Sequence, residues 1–462
     1  MGDPILILSS FVCFCLLLVL FRFLDRFWWT PVYIQYRLGS QGIKGPSYKF
    51  IHGNTREMLK MVLPHVYTWM NNYGKNHLSW RGGEPQLLIT EPELIKEVLN
   101  NRDGLYLKAS LPFYFMKLMG NGLATSEGEQ WVKHQKLINP AFQGENLEKM
   151  IPEMIVSVEL MLQSWKKYQA KEIEVSEEFR LLATDIISRT AFGSNYLEGK
   201  TIFDMMTQYS NIIRRNIFKP RFPGLREEKV KLGDIDCYAY HDVDENKRIL
   251  VQDLIDECKT FYIAGQETIN SLLSWTVLLL AIHTDWQDKA REEVIELFGH
   301  QNPHPNDLSK LHTISRIINE ALRLYPPTVA FISRSEREVR LGKFILPANI
   351  QLFISNLVVH RDPGIWGDDA HLFKPERFSG EVAKATSNNV AAYFPFGIGP
   401  RTCVGFNFAT VGAKIVLIMI LQRYRFTFSP TYVHSPVINF LLVPQHGIQV
   451  ILHSLQSDEG PS

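Results

Sequence analysis

Residues Phe394–Gly405, with the sequence FPFGIGPRTCVG, carry the strongest signal in this chain. They place a lone cysteine, Cys403, in a glycine-rich turn directly before a predicted helix. Backbone N–H donors and a helix N-terminus keep a thiolate ionised, and glycines let the backbone approach both the sulfur and a flat ring closely. These features favour an axial haem ligand, which promotes O–O cleavage at the iron. The alternative is a buried structural cysteine in an aromatic loop.

The spacing of the segment favours the haem ligand. The pattern Phe-x-x-Gly-x-Arg-x-Cys-x-Gly is met by Phe396, Gly399, Arg401, Cys403 and Gly405. The segment resembles the haem-binding loop of cytochrome P450 monooxygenases. This resemblance implies a mainly α fold with small β-sheets, in which a single large haem domain follows an N-terminal transmembrane helix. It also implies haem b with Cys403 as its metal ligand, and Phe396, Gly397 and Arg401 as cofactor-binding residues.

Length, charge and cysteine content agree with this resemblance. The 462 residues, 45% of them hydrophobic, can bury a large core in one big domain or in two to three of average size. A net charge of +1 gives no global field for nucleic acid, so we expect no nucleic-acid partner. The five cysteines show no paired spacing, which indicates a reducing compartment.

The N-terminal segment Ile5–Phe21 is uninterrupted in apolar and small residues, and with the residues that follow it reaches the length that crosses a bilayer. A cleaved signal peptide would have basic residues before this core, whereas Asp3 precedes it and Arg22 and Arg26 follow it. We therefore expect a retained membrane anchor. Because the basic flank follows the span, the bulk of the chain is expected on the cytosolic side.

A hinge is predicted after the anchor, because the glycines and the proline of Gly39–Pro46 deny a continuous helix. The predicted organisation is a membrane anchor over 1–30, a Gly/Pro hinge over 31–46 and a haem-thiolate catalytic domain over 47–462. The family resemblance implies a single-pass protein of the endoplasmic reticulum membrane whose catalytic domain faces the cytosol.

Helical periodicity dominates the chain beyond the hinge. Helices are predicted over 56–72, 128–138, 146–168, 175–192, 248–282, 284–298 and 311–325. Short strands are predicted over 86–90, around 338–355 and around 434–453. A long aromatic loop over 102–124 and the 248–282 helix are expected to line a pocket. This much helix with a few small sheets predicts a mainly α class.

The long predicted helix contains AGQET, residues 264–268. Small residues let a flat cofactor lie against a helix, and a hydroxyl beside a carboxylate can pass protons into the groove. Close helix packing, with Thr268 bonded to its own preceding turn, explains these five residues equally well on their own. AGQET also resembles the oxygen-activation motif of the family. The resemblance implies catalytic roles for Thr268 and Glu267, and haem contacts for Ala264 and Gly265.

Glu320 and Arg323 are spaced i, i+3 on one predicted helix, which alone is an ordinary surface ion pair. The later sequence FKPERF, residues 373–378, resembles the family element whose arginine completes a buried Glu-Arg-Arg network. By that resemblance, Glu320, Arg323 and Arg377 give structural support to the cysteine loop.

Haem propionates need cationic or indole donors. By position, Arg401, Arg334 and Trp131 correspond to the propionate contacts of the family. One match fails, because the helix residue four positions after the tryptophan is an arginine in the family and Gln135 here. An amide cannot supply this charge, so we expect weakened haem binding unless a basic neighbour substitutes.

Four motifs in family order identify the chain as a member of the cytochrome P450 family. The resemblance implies insertion of one oxygen atom from O₂ into a hydrophobic small molecule, with electrons from NADPH through NADPH-cytochrome reductase. Asp256–Lys259 and the charged run Arg334–Arg340 resemble the plant branch that oxidises isoprenoids, including gibberellins, steroids and triterpenoids.

The region between Phe203 and Asp253 is shorter than in the family, which has two further helices and a connecting loop there. Phe203–Phe218 is predicted as one helix, whereas residues 219–247 show little helical periodicity. The sequence at Leu225 and Arg226 looks like two ends joined after a loss. It predicts a shortened form, from splicing or an imperfect gene model. A non-catalytic or unstable haem protein is therefore the second hypothesis.

Overall fold

The computed structural model describes residues 4–55, 57, 62–101, 103–109, 116, 119–168, 171–194, 251–380, 382–387, 389–439 and 441–455. The helix predicted over 203–218 and the shortened segment after it lie outside the described residues. The described chain divides into two compact units. The sheet unit contains the described residues up to 109 and Ala330–Val358, and the helical unit contains the remaining described residues.

The longer helices are numbered in chain order. They are α1 (Pro4–Leu24), α2 (Thr30–Gly39), α3 (Val62–Tyr73), α4 (Pro92–Asn100), α5 (Gly128–Ile138), α6 (Gly144–Trp165), α7 (Val175–Phe192), α8 (Val251–Ile282), α9 (Thr284–Phe298), α10 (His312–Leu324) and α11 (Phe406–Arg423). Local signals set several ends. The side chain of Glu174 caps α7 by accepting the N–H groups of Ser176 and Glu177, each at 2.9 Å, and Gly193 ends it with φ +62°.

The strands are short. They are β1 (His77–Arg81), β2 (Glu84–Ile89), β3 (Tyr106–Lys108), β4 (Glu172–Glu174), β5 (Phe331–Ser335), β6 (Val339–Leu341), β7 (Phe344–Leu346), β8 (Gln351–Ile354), β9 (Tyr424–Phe428), β10 (Pro436–Asn439), β11 (Leu441–Pro444) and β12 (Gln449–Ser454). Four-residue helices occur at Asn356–Val359, Pro363–Trp366 and Val382–Ala385.

A five-stranded sheet in the order β1-β2-β8-β5-β3 forms the centre of the sheet unit. Strands β2 and β8 are parallel, with Leu87 opposite Leu352, and the other neighbours are antiparallel. Both of these leucines are buried, as expected for strands covered on both faces. The antiparallel pair β6 and β7 completes the sheets of this unit.

The N-terminal helix continues into the sheet unit, which corrects part of the predicted hinge. Residues Ile7–Gly39 form one continuous helix, with a π-helical turn at Asp25–Trp29. Beyond its end, the side-chain amide of Gln41 donates to the backbone oxygen of Ile345 at 3.0 Å and its oxygen accepts the N–H of Ile345 at 2.7 Å. The hinge assigned to 31–46 is therefore wrong over 31–39, and the rest of it is fastened to β7.

The helical unit is built around α8, which packs along α7 and against α10 and α11. Its Trp275 stacks on Tyr325 with the ring centroids 4.3 Å apart and donates to the backbone oxygen of Leu442 at 3.0 Å. The unit also contains the sheet β4-β12-β9 and the pair β10-β11. Helix α11, which directly follows the cysteine loop, is mostly buried among its neighbours α6, α8, α9 and α10.

Two described helices are long and apolar enough to cross a membrane by length and composition. One is Ile7–Gly39, which is exposed along its apolar part, and the other is Phe406–Arg423, which is mostly buried in the protein. The second is therefore a core helix, whereas the first is available to a bilayer. The predicted class, mainly α with small β-sheets, is confirmed.

Candidate active site

The backbone of the cysteine loop, Phe394–Gly405, is held by its own hydrogen bonds. The N–H of Cys403 donates to the oxygen of Phe396 at 2.9 Å, and the N–H of Gly397 donates to the oxygen of Phe394 at 2.9 Å. Gly397 and Gly399 have φ of +76° and +80°, a region in which side chains other than glycine are strained. The loop therefore needs glycine at these two positions for its backbone conformation.

The Cys403 side chain lies in front of α11 and remains accessible, although protein surrounds it on most sides. Desolvation raises the pKa of the Cys403 thiol, and a backbone hydrogen bond from Gly405 opposes this rise. The local donors alone therefore do not make the sulfur an anion. A coordinated metal ion deprotonates a thiol outright, which would reverse this balance.

Arg401 connects the cysteine loop to the start of α5. Its guanidinium donates to the backbone oxygen of Ser126 at 3.1 Å and lies over the ring of Trp131, 4.5 Å from the centroid. Partial burial lowers the pKa of Arg401. The nearby Glu127 carboxylate opposes this lowering of the Arg401 pKa. The structure therefore brings together Arg401 and Trp131, two of the predicted propionate contacts.

Gln135 lies on α5 one turn after Trp131 and also contacts the cysteine loop. Its side-chain N–H donates to the backbone oxygen of Pro400 at 3.0 Å. The adjacent His134 is buried and pairs with Glu257, while the side chains of Lys133 and Lys136 are exposed. Gln135 thus binds the backbone of the cysteine loop and provides no positive charge.

Arg334, the third predicted propionate contact, lies on β5 in the sheet unit. Its Nε atom is buried and has no hydrogen-bond partner among the described residues. A buried guanidinium nitrogen without a partner is costly, so a ligand acceptor would stabilise it.

Within α8, the AGQET residues divide between two roles. Ala264 is exposed although most of the surrounding helix is buried, which leaves an open place for a flat group. The hydroxyl of Thr268 donates to the backbone oxygen of Ala264 at 2.6 Å. A Cβ on Gly265 would lie 2.5 Å from Cδ1 of Ile187 on α7. Close packing of α8 against α7 therefore requires glycine at 265, and its contact with haem stays a prediction.

Phe142 joins the two helices that carry these motifs. Its ring centroid lies 5.5 Å from that of Phe261 on α8 and 5.6 Å from that of Phe408 on α11. Both pairs are edge-to-face, an arrangement that adds to simple burial. The spacing between α8 and the cysteine side of α11 is therefore set by a packed aromatic cluster.

Glu320 and Arg323 on α10 form a fully buried ion pair, as predicted. Two guanidinium nitrogens of Arg323 donate to the two carboxylate oxygens of Glu320, each at 2.7 Å. Burial raises the pKa of Glu320, and the hydrogen bonds from Arg323 oppose this rise. Arg323 also donates to the backbone oxygens of His360 at 2.7 Å and Ala370 at 2.6 Å.

Arg377 completes the predicted three-residue network. Its Nε lies 3.6 Å from a carboxylate oxygen of Glu320. Its other nitrogens donate to the backbone oxygens of Trp366 at 2.7 Å and Asp369 at 2.8 Å. Hydrogen bonds from Lys374 and Arg377 hold the pKa of the Asp369 carboxyl well below its ordinary value. The three side chains therefore fasten several loop segments to α10.

His360 is a connecting residue that the sequence did not single out. Its Nε2 accepts the backbone N–H of Phe394, the first residue of the cysteine loop, at 2.9 Å. Burial and the nearby Arg323 charge lower the pKa of His360 to about 3, so the ring is a neutral acceptor. Because its backbone oxygen accepts from Arg323, His360 links the buried ion-pair network to the cysteine loop.

These residues fit a haem held by a thiolate. The accessible Cys403 offers a sulfur, and exposed Ala264 leaves room on α8. Two polar groups of the helical unit suit anionic propionates: the Arg401 guanidinium and the buried Oγ of Ser126, which has no partner among the described residues.

Comparison with known proteins gives the family. The cytochrome P450 family model matches residues 44–225 and 226–452. Cytochrome P450 CYP749A22 of Panax ginseng is 46% identical, with 97% of each chain covered. The 11-oxo-beta-amyrin 30-oxidase of Glycyrrhiza uralensis is 37% identical, covering 93% of this chain and 94% of its own. Secologanin synthase 1 of Catharanthus roseus is 35% identical, covering 94% and 95%.

The chain therefore belongs to the cytochrome P450 family, whose members are oxidoreductases that act as monooxygenases and hold haem through a cysteine thiolate. The resemblance to the plant branch of the family is confirmed by these relatives.

Proposed function

We propose that this chain is a membrane-anchored monooxygenase that acts on a hydrophobic small molecule of the terpenoid, gibberellin or steroid type. One atom of O₂ enters a C–H bond of the substrate and the other leaves as water, with two electrons and two protons supplied from outside. When bound, haem b with an axial thiolate supplies the O–O cleavage and the oxygen transfer.

The observation that carries this proposal is the attachment of the cysteine loop on three sides. Arg401 joins it to the backbone before α5, Gln135 joins it to α5 itself, and His360 joins it to the buried Arg323. A loop held this firmly can keep Cys403 in one place as the iron ligand. Phe396 and Gly397 lie in the same loop and are proposed to flank the haem.

The remaining cofactor contacts are proposed from charge and position. Arg401, Trp131 and Arg334 bind the propionates, because each offers an N–H group or a cation to a carboxylate. Ala264 leaves the space on α8 that the oxygen-binding side requires. Glu320, Arg323 and Arg377 support the loop from behind and touch no reacting atom.

Thr268 and Glu267 are proposed to deliver protons. The Thr268 hydroxyl donates to the Ala264 backbone oxygen, so its own oxygen remains able to accept a hydrogen bond from water. Glu267 is half-buried on the same helix and can exchange protons with solvent. Together they would move a proton from solvent to the open side of α8.

The cellular setting follows from the N-terminal helix and from the family. An exposed apolar helix with a basic C-terminal flank supports single-pass anchoring in the endoplasmic reticulum membrane, with the catalytic domain, 47–462, in the cytosol. Electrons are proposed to come from NADPH through NADPH-cytochrome reductase, which would dock on the cysteine side.

The alternative is a shortened form that is non-catalytic or unstable. The family model matches in two pieces that meet between Leu225 and Arg226, the junction indicated by the sequence. The alignment with CYP749A22 runs over 507 positions although this chain has 462 residues, so the relative has residues without a counterpart here. Both observations support a loss within the roof of the pocket.

Turnover of the full-length chain separates the two proposals. The chain would be expressed in membranes with a reductase and supplied with NADPH, ¹⁸O₂ and either 11-oxo-beta-amyrin, a gibberellin or a steroid. The monooxygenase proposal expects one ¹⁸O atom in a product and none when Cys403→Ser is used. A haem-loaded chain that oxidises none of these compounds would favour the shortened, non-catalytic form.

A further inference from the structure

Outside the predicted site, several hydrogen bonds join the start of α8 to the segment Met119–Ser126, which we call the 119–126 segment. Asp256 and Glu257 on α8 are both buried. The carboxylate of Asp256 accepts the backbone N–H of Asn121 at 2.8 Å, and that of Glu257 accepts the N–H of Leu123 at 2.7 Å. Two adjacent carboxylates thus accept hydrogen bonds from the N–H groups of Asn121 and Leu123, which lie two residues apart in this segment.

Further contacts hold the same segment. The Thr260 hydroxyl donates to the backbone oxygen of Met119 at 3.2 Å. A Cβ on Gly122 would lie 2.6 Å from the Thr260 hydroxyl and 3.0 Å from Oε2 of Glu257. The backbone at this position therefore lies too close to α8 for any residue with a side chain. The ring Nδ1 of His134 on α5 also hydrogen-bonds Oε1 of Glu257, the atom that accepts the N–H of Leu123.

The 119–126 segment ends at Ser126, which is the hydrogen-bond acceptor of Arg401. The Ser126 backbone oxygen accepts the Arg401 guanidinium at 3.1 Å, and the Ser126 hydroxyl is buried without a partner among the described residues. Trp131, over which Arg401 lies, is on the helix that begins two residues later. A displacement of the 119–126 segment would therefore displace the acceptor of Arg401.

We propose that Asp256 and Glu257 are positioning residues that hold the 119–126 segment and thereby place Arg401 and Ser126 for the haem edge. Burial raises the pKa of Glu257, and the hydrogen bonds from His134 and Leu123 oppose that rise. Glu257 touches no predicted reacting atom. This inference rests on the proposed haem site, since it assigns the two carboxylates to its assembly.

Amide hydrogen exchange in the full-length protein tests the contact itself. In Glu257→Ala, exchange of the Leu123 amide should accelerate about ten-fold or more, because this amide loses a hydrogen bond to a charged acceptor, which is the stronger kind. The Asn121 amide donates to Asp256 and should change less. In Asp256→Ala, exchange of the Asn121 amide should accelerate more than exchange of the Leu123 amide. Glu257→Gln keeps an oxygen acceptor and should restore slow exchange at Leu123. Glu159→Ala is the control, because it breaks a part-buried ion pair with Arg423 elsewhere in the helical unit.

A second readout reports on positioning. The midpoint potential of the bound haem should shift in Glu257→Ala, remain near the wild-type value in Glu257→Gln and remain unchanged in Glu159→Ala. Unaltered Leu123 exchange in Glu257→Ala, or equal changes in the Glu159→Ala control, would overturn the inference. If the wild-type chain binds no haem, the proposed function fails, whereas the exchange experiment still decides whether the two carboxylates hold the segment.

Discussion

At position 135 the arginine of the family is replaced by a glutamine whose amide holds the Pro400 oxygen. We predict that Gln135→Arg slows haem dissociation, because it adds a cation on the helix that carries Trp131. Gln135→Ala should speed dissociation a few-fold, since one neutral hydrogen bond contributes about 0.5–1.5 kcal/mol. Lys136→Arg, an exposed neighbour, is the control. Equal dissociation rates in wild type and Gln135→Arg would contradict the prediction.

His360 makes the stability of the loop dependent on pH. Its pKa is lowered to about 3 in the folded protein, while the ordinary value is 6.5, so between these values the unfolded chain binds a proton that the folded chain does not. The free energy of unfolding should therefore fall by about 1.4 kcal/mol per pH unit below pH 6.5 from this residue. Urea unfolding of His360→Gln, which keeps a neutral acceptor, should show a shallower fall. Identical pH profiles would rule out this role.

Glu320 is the carboxylate that pairs with both arginines of the network, through hydrogen bonds with Arg323 and a longer ion pair with Arg377. Glu320→Ala leaves Arg323 buried without its carboxylate, at a cost of roughly 3–5 kcal/mol. We expect haem-free protein, measured as haem per chain after purification. Glu159→Ala breaks a pair whose side chains are 28–29% exposed and should retain haem. A normal haem content in Glu320→Ala would show that the network is not required.

At the scale of elements, helices were predictable because their signals are local. The helices over 128–138, 175–192 and 284–298 match their predicted bounds, since the apolar periodicity that predicts a helix lies within each segment. Strands β1, β3, β4, β5 and β9 were missed. They are only three to five residues long, and their partners are often distant in sequence, as for β3 and β5.

The site shows the same division between local and distant information. Cys403 and the Glu320–Arg323 pair could be predicted because each belongs to a short pattern with fixed spacing. His360 could not, since its importance comes from Arg323 and Phe394, which are distant along the chain. Sequence likewise gives no indication that Ile187 packs against Gly265, since these two residues are distant along the chain.

The anchor helix is expected to contribute to the stability of the sheet unit. Ile34, Leu38 and Ile43 are buried, and Arg37 pairs with Glu338 at 2.5 Å. Deleting residues 2–29 should release the protein from membranes with little change in thermal midpoint. Deleting residues 2–43 should lower the midpoint by several degrees, because the buried side chains and the bonds of Gln41 are lost. Equal midpoints would mean that this docking is unimportant.

At the scale of the whole molecule, the junction at Leu225 and Arg226 determines whether the monooxygenase is complete. A chimera that carries the corresponding segment of CYP749A22 between these two residues should bind more haem and unfold at a higher temperature, because a closed pocket buries more apolar surface. A glycine-serine insert of equal length is the control. No gain over that control would indicate that the present chain already forms a complete pocket.

Transcript sequencing across the codons for Leu225–Asp236 tests the origin of the short region. A single uninterrupted transcript would exclude an imperfect gene model and leave a genuine short form of the enzyme. A longer transcript would supply the missing segment directly.

The central claim is that Cys403 ligates haem in a folded pocket, and the carbon-monoxide difference spectrum of the reduced, membrane-expressed protein tests it most directly. We predict a long-wavelength Soret band typical of a thiolate ligand, and its loss in Cys403→Ser. A shorter-wavelength band alone, or no bound haem, would contradict the claim and indicate that the shortened chain does not form a working site.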